Sequence, residues 1–126
     1  MHHSFFFDGN EKRIGWGIQS YESKIEQVRE HHNIYLNKVT KEQSKLMALH
    51  VGLFWGIGKF IIKNEDRFKV MVDSKSMMNY LTKEEIPIDY FLKTRIHFID
   101  HLINQRKLKI HYELISPEEN YVSKSI

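Results

Sequence analysis

Phe68-Lys69-Val70-Met71-Val72-Asp73-Ser74-Lys75-Ser76 decides how the rest of the chain is read. A short apolar run rich in β-branched residues ends in an aspartate, and a small polar residue opens the next segment. Such a run suits a central strand of a parallel or mixed sheet, buried on both sides. An acid at its C-terminal end stands where α/β sheets hold their ligands. Asp73 or Ser74 equally suits the cap of a helix beginning at Lys75. The two roles are compatible, and position alone does not separate them.

Upstream of this strand, Thr40 and Gln43 have the form of a capping box. Leu46, Leu49, Leu53, Ile57, Phe60 and Ile61 then keep a helical period, which Lys63-Asn64-Glu65-Asp66 ends. Earlier still, Phe5-Phe6-Phe7-Asp8-Gly9-Asn10 reads as a strand running into a turn. Ile14, Trp16 and Ile18 alternate with Gly15, Gly17 and Gln19 as a second strand. Lys24 to Tyr35 carries Ile25 and Val28 at helical spacing, but the short link Tyr21-Glu22-Ser23 suits a hairpin, so a third strand is expected. Met1 to Ser4 is read as partly foreign to the fold, and His2-His3 is given no metal role.

Downstream, Met77, Met78 and Leu81 predict a short helix to about Thr82, and Lys83 to Ile88, with Pro87, a loop. Asp89 can cap a helix with Phe91, Leu92, Phe98, Ile99, Leu102 and Ile103 on its apolar stripe. Leu108, Ile110, Tyr112 and Leu114 alternate with Lys109, His111 and Glu113 as the last strand. Ser116-Pro117 opens a final short helix, proline being well placed in a first turn. The order is three strands, a helix, a strand, one or two helices, a strand and a helix. Two strands thus end in Asp8 and Asp73. Parallel pairing would bring these carboxylates to one edge of the sheet, an arrangement suited to two-metal phosphodiester chemistry, with Mg²⁺ ions roughly 3.5–4 Å apart.

The bulk properties set bounds. The chain has 126 residues, 41% hydrophobic and 13% aromatic. That suffices for one domain spanning residues 1–126 and argues against disorder. No apolar run approaches the roughly 20 residues that cross a bilayer, and Asp8 interrupts any secretory signal at Phe5-Phe6-Phe7. With no cysteine, disulfides and thiolate metal sites are excluded, and an intracellular protein, cytoplasmic or nuclear, is expected. The net charge of +3 permits contact with nucleic acid without demanding it.

The arrangement resembles the ribonuclease H fold, and the likeness continues into local sequence. Asp8-Gly9 is similar to the end of that family's first strand, Leu46-Met47-Ala48-Leu49 to its first long helix, and Val70-Met71-Val72-Asp73-Ser74 to its fourth strand. The second half looks most like the ribonuclease H domains of Ty1/copia-type LTR retrotransposons. The pieces that carry this likeness are Thr94-Arg95-Ile96-His97-Phe98-Ile99, Lys109-Ile110-His111-Tyr112-Glu113 and Asn120-Tyr121-Val122-Ser123-Lys124. The resemblance implies an α/β fold, a five-stranded mixed sheet with helices on both faces, and a Mg²⁺ or Mn²⁺ site built on acids.

Two departures from the family pattern decide the expected function. Where the family's long helix presents a glutamate, this chain has Lys45. Where its final segment carries an aspartate, this chain has Ser123 or Lys124. The remaining Asp8 and Asp73 carry −2, and Lys45 brings the local sum to −1 against the +4 of two divalent ions. An ammonium about 4 Å from such an ion would oppose it by several kcal/mol. Lys45 is therefore expected to bridge Asp8 and Asp73 itself, with no cofactor. The expected function is a catalytically inactive ribonuclease H-like domain that binds a protein partner, its own copy or nucleic acid. The alternative is an active metal-dependent enzyme drawing on Asp8, Asp73 and Glu42, one helical turn before Lys45. A purely structural module of a larger assembly is the third reading.

Other candidates are weaker. Adjacent His31-His32 on a strand would face opposite ways. His97 and His101 share a helical face at a zinc-binding spacing, but packing and hydrogen bonding explain them better. Asp100 and His101 suit a solvated face. Gly52, Gly56 and Gly58 imply close helix approach, and Trp55, off the apolar stripe, suits a partner surface. Lys75, Lys93 and Arg95, with Lys38, Lys41 and Lys45, offer a loose phosphate-contacting set.

Overall fold

A computed structural model describes residues 1–21 and 23–126. Its strands are β1 (His2–Gly9), β2 (Arg13–Ser20), β3 (Ser23–Glu30), β4 (Arg67–Val72) and β5 (Lys109–Leu114). Its helices are α1 (Lys41–Gly58), α2 (Lys75–Leu81) and α3 (Tyr90–Arg106), followed by two 3₁₀ turns, Pro117–Glu119 and Tyr121–Lys124. The strands form one mixed sheet in the order β3-β2-β1-β4-β5. β1 to β3 are antiparallel neighbours, whereas β1, β4 and β5 run parallel. Of the hairpin link expected at Tyr21-Glu22-Ser23, Glu22 lies outside the described residues; Ser20 pairs with Ser23.

Capping signals place the helices. Thr40 and Gln43 exchange side-chain and backbone hydrogen bonds at the start of α1 (3.1 and 2.9 Å). The Ser74 hydroxyl accepts from the Met77 N–H, and the Asp89 carboxylate from that of Leu92. One face of the sheet, through Phe5, Phe7, Trp16, Ile18, Val70 and Val72, makes the core with Leu46, Leu49 and Leu53 of α1. α1 lies close on this face because it presents glycines there. A Cβ on Gly52 would fall 2.6 Å from the Phe5 ring and 2.8 Å from Trp16, and one on Gly56 2.6 Å from Ile62. α3 packs behind α1, and α2 lies along β4 and β5. On the opposite face the second 3₁₀ turn lays Tyr121 over Phe6, with ring centroids 4.7 Å apart.

Several expectations are corrected. Met1 to Ser4 is integral: β1 starts at His2, and His3 is buried, bonded to Ser20 Oγ (2.6 Å) and Asp66 Oδ2 (2.8 Å). The third strand stops at Glu30, so His31 and His32 follow it rather than alternate on it. α1 ends at Gly58, because Phe60 adopts a left-handed φ of 61°, and the chain reverses to bury Ile62 rather than Ile61. On α3 the buried stripe is Leu92, Ile96, Ile99 and Leu102, and Phe98 is half exposed. His97 and His101 are exposed rather than packed.

Candidate functional site

The parallel pairing of β1 and β4 puts Asp8 and Asp73 at one sheet edge. Asp8 is the penultimate residue of β1; Asp73 follows the last residue of β4, with Ser74 free to cap α2. The third element is α1, and Gly9 fixes how closely it comes. A Cβ on Gly9 would meet the Ser44 backbone carbonyl carbon at 2.5 Å. Ser44 is held there by the buried His31, whose Nε2 lies 2.8 Å from Ser44 Oγ and 3.0 Å from the Asn10 carbonyl. The next residue of α1 is Lys45, delivered between the two carboxylates.

Its Nζ donates to Asp73 Oδ1 at 2.6 Å and lies 3.8 Å from Asp8 Oδ1. The three side chains are nearly buried, with exposures of 11% for Lys45, 6% for Asp8 and 5% for Asp73. The other oxygens are also engaged. Asp8 Oδ1 accepts from the Gly9 N–H (2.8 Å) and Oδ2 from the Ser123 hydroxyl (2.5 Å). Asp73 Oδ2 accepts from Asn120 Nδ2 (3.0 Å), which also donates to the Phe7 carbonyl (2.9 Å). Of the two candidates in the final segment, Ser123 reaches the site and Lys124 is exposed. A hollow of about 240 Å³ opens beside the cluster, lined by Asp8, Lys41, Lys45, Asp73 and Ser123 among others.

The two-ion arrangement implied by the sequence resemblance does not fit these residues. Every carboxylate oxygen already has a donor, and one donor is a cation standing where a divalent ion would need ligands. Among the described residues no three His, Asp or Glu side chains are grouped so as to hold a metal ion. Glu42 is turned to another partner: its Oε2 accepts from Ser76 Oγ at 2.7 Å, and it does not line the hollow.

Other sequence candidates are scattered. Lys75 and Lys93 are exposed on α2 and α3. Arg95 lies over Phe91 and donates to His50 Nδ1 at 3.3 Å. Burial and that guanidinium lower His50 from its ordinary 6.5 to about 4. Trp55 is half-buried against Trp16, and its neighbour Phe54 is the exposed aromatic (68%). The residue that sequence reading passed over is Asn120. In the sequence it figures only within the Asn120–Lys124 piece of the resemblance, with no role of its own; in the structure it also caps the second 3₁₀ turn, accepting from the Val122 N–H.

No family model and no curated protein matches this sequence. Solved structures do. Over 99% of this chain and 93% of the other, it is similar to ribonuclease H1 of the halophilic archaeon Halobacterium salinarum, with a TM-score of 0.81 and 15% identity. LC11 ribonuclease H1, solved in complex with an RNA/DNA hybrid, matches over 98% of this chain and 97% of its own, with a TM-score of 0.70 and 14% identity. A foamy viral protease–reverse transcriptase in complex with double-stranded DNA matches 92% of this chain with 21% of its own length, at a TM-score of 0.58 and 19% identity. At such identities the likeness speaks for architecture. This chain has the ribonuclease H-like fold.

Proposed function

We propose that this protein is a catalytically inactive ribonuclease H-like domain that works by binding, with nucleic acid as its first partner class. The observation that carries the reading is the Lys45 ammonium, 2.6 Å from Asp73 and 3.8 Å from Asp8. It supplies by a side chain the positive charge that paired carboxylates otherwise need from metal. A binding role is supported by the fold, by the net charge of +3 and by the nucleic acid held in two of the similar structures. Protein partnership or self-association remains part of the reading on the exposed aromatics Phe54 and Phe60. Kinship with Ty1/copia-type domains rests on the pieces at Thr94–Ile99, Lys109–Glu113 and Asn120–Lys124. A single domain over residues 1–126 and a cytoplasmic or nuclear location belong to the same proposal. No helix among the described residues is long and apolar enough to cross a membrane.

The test is an RNA–DNA hybrid cleavage assay with Mg²⁺ or Mn²⁺, run beside calorimetric titration of Mn²⁺. The expected result is no cleavage and no heat for the natural chain, and Mn²⁺ binding gained in Lys45→Glu/Ser123→Asp. Metal-dependent cleavage that Asp73→Asn abolishes would remove the proposal and favour the acid set Asp8, Asp73 and Glu42.

A further inference from the structure

Beyond the Tyr121 cover, the same sheet face is bare toward the starts of β1, β4 and β5. Strand register sets two rows of side chains on it. Gln19, Ser4, Lys69 and His111 stand side by side in one, and His2, Arg67 and Lys109 in the next. They line a hollow of about 770 Å³, against about 240 Å³ beside the aspartates, and it lies at the opposite end of β1 and β4 from Asp8 and Asp73.

Among the described residues, the acids nearby do not cancel this charge. Asp66 turns inward, to His3 Nε2 (2.8 Å) and the amino terminus (3.3 Å). Burial opposes its charge, but the Lys63 N–H, the His3 ring and the terminal amine together hold its carboxyl below the ordinary value. Glu113 lies 3.9 Å from Lys69 Nζ, both side chains about half exposed, which is a weak surface pair. Arg67 and Lys109 make no ion pair among the described residues.

We propose that this bare, basic end of the sheet is a second binding surface, which takes a single strand of nucleic acid through its phosphates. The geometry suits a linear polyanion: Arg67 and Lys69 stand about 6.6 Å apart along β4, and Lys109 about 4.8 Å from Arg67 across the strands. Tyr21, 94% exposed, also lines the hollow. An exposed ring beside cations gives an unpaired base a stacking platform, which an acidic peptide would leave unused and a duplex would not reach. Ser4 and Gln19 add hydrogen-bonding groups to the same row. The surface does not depend on whether the Asp8–Asp73 site is inert.

The experiment is fluorescence anisotropy of a labelled oligo(dT) with the full chain across a salt series. Arg67→Gln/Lys69→Gln/Lys109→Gln should bind roughly tenfold or more weakly. Its slope of log affinity against log salt should be shallower by about 2, near 0.7 for each single-strand phosphate no longer neutralised. Tyr21→Ala should weaken binding several-fold at unchanged slope. A charge-matched control, Lys12→Gln/Lys59→Gln/Lys83→Gln, should keep the natural slope, and circular dichroism checks that each variant folds. Single Lys109→Gln, read the same way, serves if the triple variant does not fold. No binding of oligo(dT) at low salt, an equal loss in the control, or equal binding of poly-glutamate would overturn the assignment.

Discussion

Replacing Lys45 by Met removes a charge and little volume, so it isolates what the ammonium does. At an effective dielectric near 20, one unit pair at 2.6 Å is worth about 6 kcal/mol and one at 3.8 Å about 4 kcal/mol. Desolvating three ions opposes most of that gross attraction. The relevant quantity is what remains when one partner goes: two nearly buried carboxylates facing each other with Ser123, Asn120 and the Gly9 N–H as donors. Removing one partner of a buried pair typically costs 3–5 kcal/mol. The remaining hydrogen bonds place Lys45→Met at the lower end, about 3 kcal/mol by urea denaturation near neutral pH. Asp73→Asn in the same background should relieve the deficit at neutral pH. A Lys45→Met loss under 1 kcal/mol, or a loss that Asp73→Asn does not relieve, would refute the reasoning.

Three further variants read other parts of the fold. Asn120→Ala leaves the Phe7 carbonyl and Asp73 Oδ2 without a donor, so a loss of about 2 kcal/mol is expected in the same denaturation assay. Gly52→Ala should destabilise by about 1–3 kcal/mol, because its Cβ would press on Phe5 and Trp16. Gly58→Ala, whose Cβ meets nothing within 4 Å, should instead stabilise by up to about 1 kcal/mol. His50, lowered from 6.5 to about 4, binds its proton more weakly folded than unfolded. Stability should therefore fall as pH drops through that window. Discounted for solvent at this half-buried site, the effect is about 1 kcal/mol, and His50→Gln should remove it.

The strands and helices were legible because their signals are local: alternation in Ile14 to Ile18 and Leu108 to Leu114, the box of Thr40 and Gln43, the Asp89 cap. Two of the misses, at His3 and Asn120, share one cause, a partner far along the chain. His3 looked like a tail residue because its acid is Asp66, sixty-three positions away. The apolar period of α1 runs on through Ile57, Phe60 and Ile61, yet the chain turns at Phe60 and it is Ile62 that fills the space beneath Gly56. Neighbouring helix residues differ by about 100° in direction. That rotation exposes Phe54 and turns Trp55 onto Trp16. Asn120 was invisible as a site residue, since its bonds to Phe7 and Asp73 span 113 and 47 positions.

Position and sign at the Asp8–Asp73 edge are set by different residues. Gly9, Gly52 and His31 determine how closely α1 approaches the sheet, and hence where the side chain at position 45 arrives. None of the three depends on that side chain's charge. The fold would deliver a carboxylate to the same spot as readily as it delivers this ammonium. With an acid there, three buried negative charges would need an external cation to stay together. With Lys45, the cluster is held by its own hydrogen bonds, and the edge that could otherwise gather metal becomes a fastening between β1, β4, α1 and the C-terminal turn.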